Sequence, residues 1–163
     1  MVKSSEGGQG VAVAAPTAAS LWLVMMKAYR SMQHYVELTL VEMGIGLSDF
    51  MILEALLHKG PMSMSQTGDT VLLANPSMTA AANRLQRLSL VARQCRGGDR
   101  RVRTVELTPA GRKLIQKIYT QHESDLEAVM EDISPDERTA VRAALKCMGL
   151  AAKAKTGTLQ TVR

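Results

Sequence analysis

The stretch from Asn75 to Gly111, NPSMTAAANRLQRLSLVARQCRGGDRRVRTVELTPAG, constrains the fold more than any other part of the chain. It reads as a helix, a strand, a basic loop, a second strand and the start of another helix. Asn75 is placed to cap the first of these helices, and Pro76 suits its first position, where the missing N–H costs nothing. Met78, Ala81, Ala82 and Leu85 recur at helical spacing, with Leu88 closing the stripe. Ser77, Thr79, Ala80, Asn83, Arg84 and Arg87 are left for the other faces. Leu90 to Arg96 predicts a strand, Gly97-Gly98-Asp99 is a turn signal, and Val102 to Leu107 alternates with the period of a second strand. Thr108-Pro109 then caps a new helix.

A helix followed by a two-stranded hairpin with an arginine-loaded tip is the plan of a winged helix, and the charge agrees. Between Arg84 and Lys117 there are ten basic residues, opposed only by Asp99 and Glu106, a local net of +8 in a chain of +5. The remainder is therefore −3, so the positive charge is concentrated on the helix and hairpin as a footprint for phosphate. Arg100 and Arg101 at the tip, with Arg103 beside them, suit phosphate contact and insertion into a narrow, electronegative minor groove. Asp99 is placed to orient that wing through a neighbouring arginine. Ser77, Thr79 and Asn83 are short enough to let a helix approach base edges, and Asn can bond adenine bidentately. Arg84 and Arg87 complete the expected DNA-contacting set.

The run Arg84-Leu85, Leu90-Val91, Asp99-Arg100-Arg101, Leu107-Thr108 and Gly111 resembles the core signature of the MarR family of transcriptional regulators. With flanking helices, the likeness covers roughly residues 20 to 150. It implies a homodimer whose recognition helix enters the major groove and whose wing reaches the minor groove, with terminal helices building the dimer. It also implies small aromatic, often phenolic, effectors. The chain departs from the family pattern in three places. Ser89 stands where Gly is usual, Ala80 where a basic residue is frequent, and Thr67-Gly68 where Leu-Ala is preferred.

The other segments fit around this centre. Residues 1–16, rich in Gly, Ala and Val, read as a disordered arm. Thr17 to Met43 predicts a long helix with a wide apolar face, stopped by Gly44 and Gly46. Leu47 opens the next helix with Ser48 as candidate cap, Phe50, Ile52, Leu53, Leu56 and Leu57 as its core, and Lys59-Gly60-Pro61 as its end. Ser63 to Leu73 predicts a weaker helix, the first half of a helix-turn-helix. After the wing, Pro109 to Met130 reads as a long helix marked by Leu114, Ile118, Leu126 and Met130. Ser134-Pro135-Asp136-Glu137 is a capping box opening a last helix. The expected fold is thus mainly α with a small β-hairpin wing. Residues 47–108 form a winged helix-turn-helix, 17–46 and 109–152 a helical dimerisation region, and 153–163 a flexible tail.

Catalysis finds no support, since no Gly-rich phosphate loop, nucleophile elbow or metal motif is present. No cofactor is expected. His34, His58 and His122 have no partners at metal-site spacing apart from His122 beside Glu123 and Asp125, which read as an ordinary polar patch on a helix; solvent-facing or pocket-lining histidine is expected. No apolar run reaches the length of a membrane span, and no signal-peptide pattern opens the chain, so a cytoplasmic protein with no membrane partner is expected. Trp22, Met25, Met26, Tyr29, Met32 and Met51 are candidates for a pocket taking a small aromatic ligand, because flexible Met accommodates varied apolar shapes; a plain core stripe explains them equally. Cys147 is expected at a dimer seam. Cys95, beside Arg93 and Arg96, is a candidate reactive thiol. The leading expectation is a repressor that binds double-stranded DNA as a homodimer on a pseudo-palindromic operator. The alternatives are a winged-helix dimer that binds a protein partner and a cysteine-based redox regulator.

Overall fold

The computed structural model describes residues 15–71, 73, 75–95 and 103–161. The chain divides into two compact units, Met1–Leu47 and Ser48–Arg163.

The first unit carries α1 (Ala18–Glu42). Thr17 caps it, its hydroxyl accepting the Ser20 N–H at 3.2 Å. The helix closes where Gly44 turns to φ +77°, which lets the Ile45 N–H reach back to the Leu40 carbonyl at 3.0 Å. A left-handed glycine after a helix serves this closure because it lacks the Cβ that would clash. Leu40 is fully buried, whereas Trp22 and Tyr29 are about 60% exposed (59% and 61%).

The second unit contains α2 (Leu47–Lys59), β1 (Met62–Ser63), α3 (Met64–Val71), α4 (Asn75–Arg87), β2 (Val91–Cys95), β3 (Arg103–Leu107), α5 (Pro109–Val129) and α6 (Pro135–Thr161). The strands form one antiparallel sheet in the order β1-β3-β2. Arg93 sits opposite Val105 and Val91 opposite Leu107 across the β2–β3 pair. Phe50, Ile52, Leu53 and Leu56 of α2, Met78, Ala82 and Leu85 of α4, Val91 and Val105 of the hairpin, and Ile115 of α5 are buried. These apolar faces make the core beneath the helix-turn-helix.

The predicted mainly helical fold with a small wing is what the structure shows, with several corrections of detail. The wing gains a third strand: Met62 pairs with Val105 and Ser63 with Thr104. Two residues are too few to carry a period of two, so no alternation announces β1. Ser63 also caps α3 reciprocally, its hydroxyl accepting the Gln66 N–H at 3.2 Å while its own N–H donates to Gln66 Oε1 at 3.0 Å. The helix runs Met64–Val71, shorter than the expected Ser63–Leu73. Ser48 lies inside the first turn of α2 rather than ahead of it. Leu88 does not close the α4 stripe; the helix ends at Arg87 and Leu88 is exposed in the following turn. On α5 the buried stripe is Gly111, Ile115, Ile118 and His122, not the one marked by Leu114 and Leu126, which are half-buried. His122 is no surface polar patch: it is buried, and its ring meets Phe50 edge-on at 4.7 Å. Finally, α6 runs through Gly149 and continues to Thr161, so most of the stretch expected as a flexible tail is helical.

The joint between α4, the hairpin and α5 is tight. Ser89 adopts φ +56°, the left-handed conformation that would favour Gly there. The Thr108 hydroxyl accepts the Gly111 N–H at 3.0 Å and donates to the Ser89 carbonyl at 2.7 Å. The N-cap of α5 therefore also ties down the left-handed turn. A Cβ on Gly111 would lie 1.9 Å from the Leu90 carbonyl oxygen, so only glycine lets α5 pass the hairpin this closely.

Candidate nucleic-acid interface

The helix-turn-helix consists of α3 and α4, which pack on each other, and α4 also packs on β2. Burial of Met78, Ala81, Ala82 and Leu85 fixes the rotation of α4 about its axis. With about 100° between successive residues, the opposite face is centred on Asn83 and includes Thr79, Ala80, Gln86 and Arg87. All five are exposed. Asn83, Gln86 and Arg87 line a shallow surface depression. Thr79, Asn83 and Arg87, three of the sequence candidates, therefore stand at successive four-residue steps along one exposed face. Ser77 is also exposed but lies toward the flank, on the side of Arg84.

Arg84 does not share that outward face. Its Nε and Nη2 donate to the two Asp49 carboxylate oxygens, both at 2.7 Å, in a fork-to-fork pair between α4 and α2. Asp49 is 6% exposed, so the guanidinium satisfies a carboxylate that the core has largely removed from water. The carboxylate hydrogen bonds raise the Arg84 pKa above its ordinary value, outweighing the opposing effect of burial. The bond fixes α4 against α2, and it places Arg84 in a supporting position. Asp49 was not among the candidates. Its partner is 35 residues away in sequence, and no local pattern links them.

A second support was also missed. Arg93 on β2 donates from Nη2 to the Asn83 side-chain oxygen at 2.6 Å. Its Nε is buried without a hydrogen-bond partner. Nearby, Gln94 of β2 hydrogen-bonds to Glu106 of β3 across the hairpin. Of the wing candidates, Asp99, Arg100 and Arg101 lie outside the described residues, and Arg103 is located only by its place in β3. The pocket candidates Trp22, Met25, Met26, Tyr29 and Met32 lie on α1 in one unit and Met51 on α2 in the other. Trp22, Met26 and Tyr29 are exposed on α1, and Met25, Met32 and Met51 are half-buried. The Cys95 side chain is outside the described set, and Cys147 is an exposed free thiol on α6. Among the described residues no cluster of His, Cys, Asp or Glu is arranged to hold a metal ion. No described helix is long and apolar enough to cross a membrane.

A helix-turn-helix with a hairpin folded beside its second helix defines a winged-helix transcriptional regulator, and the comparisons agree. The chain belongs to the MarR family of transcriptional regulators. It is 32% identical over 133 residues to the HTH-type transcriptional regulator MhqR of Bacillus subtilis, spanning 82% of this chain and 92% of that relative. Its fold matches AbsC, a MarR family regulator of Streptomyces coelicolor, with a TM-score of 0.75 at 22% identity, over 87% of this chain and 99% of that one. It also matches NadR in complex with 4-hydroxyphenylacetate, with a TM-score of 0.68 at 18% identity, over 90% and 97% of the two chains. No protein-family model matches the chain. These relatives are transcriptional regulators and not enzymes, in keeping with the absence of a catalytic motif in the sequence.

Proposed function

We propose that this regulator is a repressor that binds a pseudo-palindromic operator as a homodimer and is released by a small aromatic ligand. The observation that carries the reading is the outward face of α4, where Thr79, Asn83 and Arg87 stand exposed beside a hairpin; Arg100 and Arg101 fall in the sequence between its two strands. Ser77, exposed on the flank of α4, and Arg103, a residue of β3, are proposed to extend the same basic region, and Asp99 to steady the wing. Two copies would set α4 and its counterpart in successive major grooves, about 34 Å apart.

Dimerisation is supported by apolar surface that a single copy leaves in water. Val141, Leu145 and Leu150 of α6 are exposed, as are Leu21, Trp22 and Val24 of α1. Unpartnered apolar faces of this kind mark sites of association. Ligand release is supported by NadR, which is similar in fold and holds 4-hydroxyphenylacetate. Trp22, Met25, Met26, Tyr29, Met32 and Met51 are the residues proposed to take such a ligand. A ligand that favours a different spacing of the two recognition helices weakens DNA binding by population shift.

Fluorescence anisotropy on the DNA upstream of its own gene tests the reading. Saturable binding is expected, falling steeply with salt because each phosphate contact releases counterions. Arg87→Ala and the double variant Arg100→Ala/Arg101→Ala should each weaken binding and flatten the salt slope. Failure to bind this or any other promoter fragment better than random duplex, with ligand-stripped protein, would overturn it.

A further inference from the structure

The contact between Arg93 and Asn83 decides which end of the Asn83 amide is available to DNA. A guanidinium has donors and no acceptor, so the amide group that meets it must be the carbonyl oxygen. The 2.6 Å contact from Arg93 Nη2 therefore turns the Asn83 oxygen toward the hairpin and its NH2 away from it. Arg93 is not free to release that oxygen by swinging outward. It faces Val105 across the β2–β3 pair, and its Nε is buried. The side chain emerges on the inward face of the hairpin, and its tip holds the amide at the surface of α4.

We infer that Arg93 is a specificity-positioning residue, which makes Asn83 a donor-only probe that selects guanine over adenine at the base it faces. This inference rests on the DNA-binding reading above. Bidentate recognition of adenine needs the amide oxygen to accept from N6 while the amide nitrogen donates to N7. With the oxygen held by Arg93, only the NH2 is presented. Guanine offers two neighbouring acceptors, N7 and O6, to such a donor, whereas adenine offers N7 beside a competing N6 donor. Arg87, one turn further along the same exposed face, adds further donors. A donor-only Asn83 differs from the expectation from sequence that it can bond adenine through both ends of its amide.

Selection of binding sites from a random duplex library, by wild type and variants of the full chain, tests the inference. The wild type should enrich guanine at one position in each half-site, and Asn83→Ala should lose preference at that position alone. Arg93→Met keeps the apolar stem but removes the donor; the guanine-over-adenine ratio there should fall from about tenfold toward parity or reverse. Arg93→Lys retains a donor and should restore much of the preference, which a purely structural role for Arg93 would not predict. Thermal melts verify that each variant is folded; if Arg93→Met is not, Asn83→Asp carries the test, since it keeps an acceptor for Arg93 but removes the NH2 and should lose the guanine preference, and retained preference there would overturn the inference. Adenine enriched at the Asn83-dependent position would overturn the inference, as would an unchanged preference in folded Arg93→Met. Those outcomes leave DNA binding intact. Absence of any enriched sequence with wild-type protein would instead overturn the DNA-binding reading, and this inference with it.

Discussion

The segment from α4 to the start of α5 and the long helix α6 lie in the same unit, yet they are stabilised in opposite ways. In the first, buried residues recur at each turn and the polar groups beside them are tied: Arg84 to Asp49, Arg93 to Asn83, Thr108 to Ser89 and Gly111. In the second, none of the residues from Pro135 to Gly157, over which burial is described, is buried. What holds α6 to its neighbour is concentrated at its start. Arg138 donates to the Ile133 and Met130 carbonyls at 3.0 and 2.7 Å and pairs with Glu127 at 2.5 Å. Beside that staple, Met130, Ile133, Val141 and Leu145 line an apolar depression. One region is complete within a single chain, whereas the other presents apolar surface that a single chain does not cover. A DNA-reading surface needs a fixed shape, and its rigidity comes from packing within the unit. The α6 face has the character of a surface whose stability comes from association.

The contrast is broken most severely at Gly111. Gly111→Ala sets a methyl group against the Leu90 carbonyl, where the ideal separation is 1.9 Å. Neither backbone segment can yield without disturbing the Thr108 cap or the Ser89 turn. The expected loss is about 3 kcal/mol or more, the upper range of overpacking effects. Urea unfolding measures it, and a loss below about 1 kcal/mol would mean that this joint relaxes freely.

The next largest effect separates the two ends of one ion pair. Arg84→Ala leaves the Asp49 carboxylate, 6% exposed, without its partner. Asp49→Ala leaves Arg84, whose side chain is 44% exposed, free to turn into water. The first should therefore cost about 2–3 kcal/mol, toward the lower end for a broken buried pair, and the second about 1 kcal/mol. Denaturant midpoints at neutral pH give both values. Equal costs would show that the pair acts only through its mutual attraction. Operator affinity should fall in both variants, because α4 loses the bond that fixes it to α2.

On α6 the same kind of disruption should hardly affect the chain's own folding. Leu145 is 46% exposed. Leu145→Asp should change unfolding of a dilute single chain by no more than about 0.5 kcal/mol. It should nevertheless shift sedimentation toward monomer and weaken operator binding, since two half-sites would no longer be engaged together. A variant that stays dimeric would place the association surface elsewhere, with α1 the next face to test.

The two regions were also unequally legible in the sequence. The hairpin, the Thr108-Pro109 start and the Ser134 box could be read because their determinants lie within a few residues of one another. Ser89 was legible only through the family resemblance, which sets Gly there; its left-handed φ of +56° is the physical reason. Asp49–Arg84 and Arg93–Asn83 were not, because each joins elements brought together only by folding, across 35 and 10 residues. His122 departs from the polar patch expected of it for a related reason. Its neighbours Glu123 and Asp125 suggest a polar surface, but the residues that share its face are Gly111, Ile115 and Ile118, spaced at helical intervals. The helix α6 runs past residue 152, where the expected helical region stops, although Gly149 weakens that end. A single glycine weakens a helix by only about 1 kcal/mol and does not stop it.

The smallest expected effect concerns the first turn of α6. The Ser134 hydroxyl and N–H both donate to Glu137 Oε2, at 2.6 and 2.9 Å. These bonds, the side-chain one first, hold the Glu137 pKa below its ordinary value of 4.5. A carboxyl whose pKa is lowered on folding binds fewer protons in the folded chain than in the unfolded one. Its contribution is complete above the ordinary value and disappears as the pH falls through the lowered one. Glu137→Ala should therefore melt slightly below wild type at neutral pH, and the two curves should converge on acidification. Hydrogen exchange at the first amides of α6 gives the local version of the same comparison: faster in the variant at neutral pH, with the core of α4 unchanged. A difference in Tm that persists at low pH would show that Glu137 supports the helix through its aliphatic stem rather than its charge. A matching change in α4 would show that the two regions unfold as one cooperative unit despite their different construction.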